Sequence, residues 1–128
     1  MAIVNAIVSA RDAADLLAPL FADAEGERLA VLHLDGERRL IALDTHDVAG
    51  ADEIELPMRA IFAAALGHDA LGLVVAHNHP SGDPSPSRAD KAATRRLADT
   101  AASLGIVLHD HLIFAGGECR SLRELGLL

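Results

Sequence analysis

The chain has 128 residues, enough for one domain with one core, and 51% of them are hydrophobic. Only 2% are aromatic, with no Trp or Tyr, so Ala, Leu, Val and Ile must fill that core and stacking platforms for bases are scarce. A formal net charge of −8 opposes a phosphate backbone, which is bound through Lys and Arg, and so counts against nucleic acid as a partner.

Met1–Val8 is apolar but lacks a basic lead and is too short for a secretory signal. No apolar run approaches the ~20 residues that span a bilayer. Cys119 is the only cysteine, which excludes an internal disulfide and suits a reducing compartment. A cytoplasmic protein without membrane attachment is expected.

Ser9-Ala10-Arg11-Asp12 has the form of a capping box, and Ala13, Leu16, Leu17, Leu20 and Phe21 follow at helical spacing, predicting a helix over 10–23. Pro19 falls inside it and predicts a kink or a restart. Arg28–Leu34 and Arg38–Leu43 are β-tolerant apolar segments around Asp35-Gly36, the pattern of a hairpin. Asp44–Glu55 is polar and mixed, with room for a short third strand, and Pro57 then opens a helix that runs through Leu66 and stops at Gly67.

Leu71–Ala76 is a continuous apolar run too short for a helix, as in a strand covered on both faces. It leads into a loop, His77 to Pro86, whose prolines and glycine exclude regular structure and where chemistry is expected. Ser87 opens a long helix to Leu104 with an apolar stripe of Ala89, Ala93, Leu97, Ala101 and Leu104, and Gly105 ends it. Arg88, Lys91, Arg95 and Arg96 on that helix read as a solvated face. Ile106–Ala115 reads as a strand, Gly116-Gly117 as a turn, and Ser121–Leu128 as a tail packed through Leu122 and Leu125. The element order supports a compact α/β sandwich.

His77 and His79 are two residues apart, so an extended backbone through Asn78 points both imidazoles to one side. Asp90 lies eleven residues after His79, within reach if the loop returns the first helical turn to the strand end. Two imidazoles and one carboxylate leave a fourth tetrahedral position for water, the layout of a catalytic zinc site. A base must still take a proton from that water, and Glu27, at the start of the first strand, is the best placed. Ser87-Arg88-Ala89-Asp90 also fits a capping box, and Ser87 can cap the helix while offering its hydroxyl to an oxyanion.

The run His77-Asn78-His79-Pro80-Ser81-Gly82-Asp83-Pro84-Ser85-Pro86-Ser87-Arg88-Ala89-Asp90 resembles the His-x-His-Pro…Ser-x-x-Asp motif of JAMM metalloproteases. Its His-Asn-His-Pro-Ser-Gly wording is similar to the RadC-like branch of the JAB/MPN family, and the resemblance continues through Gly105-Ile106, Asp110-His111 and Ser121 to Leu128, from about Glu27 onward. It implies the MPN/JAB fold, a cytidine-deaminase-like α/β sandwich with a mixed β-sheet flanked by helices, in a single domain over 1–128. It further implies Zn2+ on His77, His79 and Asp90, water activated by Glu27, and a tetrahedral intermediate steadied by Ser87. The implied activity is that of a zinc metallopeptidase acting on a peptide or isopeptide-linked protein substrate. No motif fixes Glu27, and Glu53 and Glu55 stay open as alternatives.

Two departures from the family pattern stand out. Arg59-Ala60-Ile61-Phe62 replaces an Arg-Glu-Ile-Phe usual in RadC-like proteins, and an N-terminal helix-hairpin-helix region is not expected in a chain of this length. Two rival readings are a non-enzymatic MPN interaction module and a DNA-repair-associated protein of the RadC family, the latter opposed by the acidic charge. A homo-oligomer is left open. His109-Asp110-His111 is a second candidate cluster, with Asp110 also a candidate acceptor for a site histidine. His33, His46 and His68 stand isolated in sequence and read as surface or hydrogen-bonded residues.

Overall fold

The computed structural model of the chain describes residues 6–22, 24–48 and 56–128. Its elements run α1 (Ala10–Ala22), β1 (Arg28–Leu34), β2 (Leu40–Asp47), α2 (Met58–Gly67), β3 (Gly72–Asn78), α3 (Arg88–Ser103), β4 (Val107–Ala115) and β5 (Glu118–Ser121). The strands form one sheet in the order β2-β1-β3-β4-β5, parallel only between β3 and β4. A parallel pair needs a crossover, and α3 supplies it. The result is the mixed sheet with flanking helices that the resemblance implies.

Alternation along the central strands sends side chains to two cores, one on each face. Leu29, Val31, Leu73 and Val75 pack against Ile61, Phe62 and Ala65 of α2 and Leu97 and Ala101 of α3. On the opposite face Ala30, Leu32, Val74, Ala76, Leu112 and Phe114 meet Ala13 and Leu17 of α1. Phe21 stacks on Phe114 there at 4.8 Å, one of the few aromatic contacts this composition allows. With both faces covered, every residue of β3 is buried, which is why its sequence is apolar without alternation. Among the described residues no helix is long and apolar enough to cross a membrane.

Three expectations are revised, and a fourth lies partly outside the described residues. α1 runs as one helix through Pro19 without a restart; the proline is exposed, so the helix loses one internal hydrogen bond on its solvated side. β2 starts at Leu40 and continues through the polar residues Asp44–Asp47, because antiparallel pairing with Arg28–Val31 satisfies their backbone whatever their side chains prefer. The third strand allowed for within Asp44–Glu55 falls partly in 49–55, outside the described residues. Finally, β5 follows β4 through a two-residue turn, Gly116-Gly117, with Ala115 opposite Glu118 and φ values of 57° and 78°. Both signs fit the I′ hairpin turn that a Gly-Gly pair favours, so the turn was legible where the strand was not.

Candidate metal centre

β3 carries His77 on its buried C-terminal end, with His77 opposite Leu29 on one side and Ile113 on the other. The strand extends through Asn78, so His77 belongs to the sheet rather than to the loop. His79 follows just outside, its backbone N–H donating to the Phe114 carbonyl at 2.9 Å. Because α3 is the crossover between parallel strands, its N-terminus returns to the C-terminal end of β3 and brings Asp90 with it.

The three donor groups converge. His77 Nε2 lies 3.1 Å from His79 Nε2 and 3.3 Å from Asp90 Oδ1, and His79 Nε2 lies 3.0 Å from Asp90 Oδ2. His77 is fully buried and Asp90 nearly so, whereas the His79 side chain is 16% exposed and marks the wet side of the site.

Hydrogen bonds on the far sides of both rings select the tautomers. His79 Nδ1–H donates to the Asp83 carbonyl at 2.8 Å. His77 Nδ1–H donates to His111 Nε2 at 2.7 Å, His111 Nδ1–H donates to Thr94 Oγ1 at 2.6 Å, and the Thr94 hydroxyl donates to the Asp90 carbonyl at 2.7 Å. Every proton in this chain has one acceptor, and both Nε2 lone pairs are left facing the Asp90 carboxylate. Burial pushes the pKa of His111 down to about 3, so its ring is neutral and can accept. Two imidazole lone pairs 3.1 Å apart beside an anion repel unless a cation lies between them, and the donor set suits a borderline divalent metal such as zinc.

Asp90 and Ser87 form the expected capping box: Ser87 Oγ accepts from Asp90 N–H at 3.0 Å, and Asp90 Oδ2 accepts from Ser87 N–H at 2.8 Å. Cap and ligand are compatible, since a carboxylate offers about four lone-pair sites. Burial works to raise the Asp90 pKa, yet the group is held well below the usual carboxylate range, with the Ser87 backbone N–H donating to its carboxylate. The Ser87 hydroxyl accepts in the cap and keeps its own hydrogen to donate.

Glu27, half-buried, immediately precedes β1 and lines a cleft of about 860 Å³ together with His79 and Ser87. Asn78 fixes this approach: its side-chain carbonyl accepts from Arg28 N–H at 2.7 Å and its amide donates to the Gly26 carbonyl at 2.9 Å. Glu27 is thus held between two backbone anchors. Glu53 and Glu55 lie outside the described residues.

The His109-Asp110-His111 expectation divides. Leu73 pairs with Leu108 but Val74 with Asp110, so His109 is an extra residue in β4 and the alternation needed for a cluster is broken. His109 lies against Gly72 at the far end of β3. Asp110 is turned away from the metal centre, accepting from Ser121 Oγ, from His111 N–H and from Arg123 N–H, and it pins β5 and the tail. The acceptor for a site histidine is His111, not Asp110. Thr94 was missed, although it lies one helical turn after Asp90 on the same face. Asn78 was missed because a residue between two ligands points away from them and gives no sign of what it reaches.

A family model described as a RadC-like JAB domain matches residues 7–127. The UPF0758 protein of Salinibacter ruber (strain DSM 13855 / M31) is 39% identical over 117 residues, 91% of this chain and 50% of the relative. A UPF0758 protein of Rhodobacter capsulatus is 43% identical over 102 residues, covering 80% of this chain and 48% of the relative. UPF0758 protein YeeS of Escherichia coli (strain K12) is 38% identical over 123 residues, 96% of this chain and 83% of its own length. This chain therefore spans about half the length of the first two relatives and most of the third. Convergent His77, His79 and Asp90 on a mixed sheet, with a family match over nearly the whole sequence, place the chain in the RadC-like JAB family.

Proposed function

We propose that the protein is a zinc-dependent hydrolase of the JAMM type that cleaves a peptide or isopeptide bond. The observation that carries this reading is the convergence of the His77 and His79 Nε2 atoms with the Asp90 carboxylate beside an open cleft, while the outer nitrogens of both rings are hydrogen-bonded away from it. A zinc ion held there supplies Lewis acidity, polarising a carbonyl and acidifying water.

The chain's own residues do the remaining work. His77, His79 and Asp90 hold the ion, the last with a charge that partly neutralises it. Glu27 takes the proton of the attacking water and hands it to the departing amine, so that water adds across the C–N bond and no proton is left over. Ser87 donates its hydroxyl hydrogen to the oxygen that becomes negative in the transition state. Asn78 holds Glu27 at the cleft by tying down the residues on either side of it.

His77→Ala should lower the zinc content of freshly purified protein by about one ion per chain. Glu27→Gln should retain that ion while turnover on quenched peptides and isopeptide-linked conjugates falls about 10²–10⁴-fold. Unchanged metal content in His77→Ala removes the foundation of the proposal. A wild-type chain that binds zinc but cleaves none of these substrates, with no exchangeable water on the metal, would instead indicate an interaction module.

A further inference from the structure

His33, His46 and His68 look isolated in sequence, but the fold brings two of them together around Asp44. His33 lies in β1 with its side chain fully buried on the face covered by α2. Asp44 sits diagonally across on β2, where Val31 is its direct partner and His33 pairs with Ala42. His68 caps the C-terminus of α2. His33 Nε2 is 2.8 Å from Asp44 Oδ2, and His68 Nε2 is 3.9 Å from the same oxygen. The two rings are tilted with centroids 4.9 Å apart. The ligand atoms of these three residues all fall within 4.8 Å of one another; His46 is not among them.

We propose that His33, Asp44 and His68 form a second site for a zinc-class divalent cation, separate from the JAMM-type centre. Zinc sits about 2.0–2.2 Å from nitrogen and oxygen ligands, which sets tetrahedral ligand atoms about 3.3 Å apart. His33 and Asp44, 2.8 Å apart, need to part by about 0.5 Å to reach that spacing, and a small rotation of His68, 37% exposed, brings the third donor in. Asp44, on the edge strand β2, is 33% exposed, so an ion enters from solvent at that edge. The carbonyl end of the α2 dipole, which lies at His68, also favours a cation.

The site is not part of a binuclear centre. His33 is opposite Leu73, four residues from His77 along β3, or about 13 Å at strand rise. It joins β1, β2 and the end of α2, so its role is to fasten the edge hairpin to that helix. It is also the weaker site. His77 and His79 have acceptors for their outer N–H groups, whereas His33 Nδ1 is buried with no hydrogen-bond partner among the described residues. Binding at Nε2 puts the ring proton on Nδ1, and one unsatisfied buried donor weakens the site by about 10- to 100-fold relative to the first.

Zinc titration of the full chain against a chromophoric chelator tests this independently of the catalytic reading. The wild type should bind about two ions in two steps, and a His77→Ala/His79→Ala chain should keep the weaker step, about one ion per chain. His68→Ala, on an exposed position that leaves the core intact, should abolish the weaker step in either background and, in the otherwise wild-type chain, spare the tighter one. In the His77→Ala/His79→Ala chain, zinc should also raise the melting temperature, and His68→Ala should cancel that rise. A single step in the wild type that vanishes with His77 and His79 overturns this site while leaving the first. A weaker step that survives His68→Ala also overturns it.

Discussion

His77 can present a lone pair to a metal only because His111 takes up the other side of its ring, and His111 can do so only because Thr94 fixes the position of its own proton. Ligating histidines elsewhere usually use a carboxylate or carbonyl for this purpose. Here a neutral imidazole does it, which orients the ring without adding negative charge. His111→Leu, close in volume, should keep the fold but weaken zinc binding about 10–100-fold in a chelator competition. It should also cost about 1–3 kcal/mol of stability, because the His77 N–H is left buried without an acceptor. Undiminished affinity would show that the hydrogen bond does not position the ligand.

The β4–β5 hairpin acts on the site through its turn. A Cβ added at Gly116 would lie 2.9 Å from the Gly82 carbonyl oxygen, and Gly82 belongs to the loop whose Asp83 carbonyl holds His79. Gly116→Ala therefore combines a left-handed backbone, costing about 1–2 kcal/mol, with a push on the metal loop. At Gly117 the backbone is equally left-handed but no atom lies within 4 Å. Gly117→Ala should lower the melting temperature alone, whereas Gly116→Ala should lower both the melting temperature and zinc affinity. Equal affinities in the two variants would contradict this. This coupling was not legible in the sequence, where Gly82 and Gly116 are simply two turn residues far apart. Legible features were those written in local pattern: the period of α3, the unbroken apolar run of β3, the hairpin around Asp35-Gly36, and the spacing of His77, His79 and Asp90. What escaped depends on pairing between distant segments: β2 beyond Leu43, the bulge at His109, the clasp of Asn78 on Gly26 and Arg28, and the meeting of His33 with His68.

At the scale of the whole molecule, buried histidines set the response to acid. Burial lowers the pKa of His33, His109 and His111 in the folded chain from the ordinary 6.5, with Asp44 only partly opposing this at His33. Below pH 6.5 the unfolded chain takes up protons that the folded chain refuses, so stability falls as pH falls through that value. Asp90 works in the same direction lower down, since its folded pKa lies below the ordinary 3.8 and the unfolded chain binds its proton first. The melting temperature of chelator-treated protein should therefore drop between pH 7 and pH 5 and continue to drop toward pH 3. A flat or rising profile across pH 7 to 5 would mean that these rings are not excluded from water.

β3 is paired on both sides, with His77 between Leu29 and Ile113. A slip of one residue on either side would turn that ring toward α1 and leave Asp90 without its neighbour. The antiparallel β1–β2 hairpin can close early, but the parallel β3–β4 pair must wait for α3 to complete its crossover. A metal ion bound by His77, His79 and Asp90 would thus be taken up late in refolding, and it would report on the sheet: only a chain with these strands in step presents that donor set.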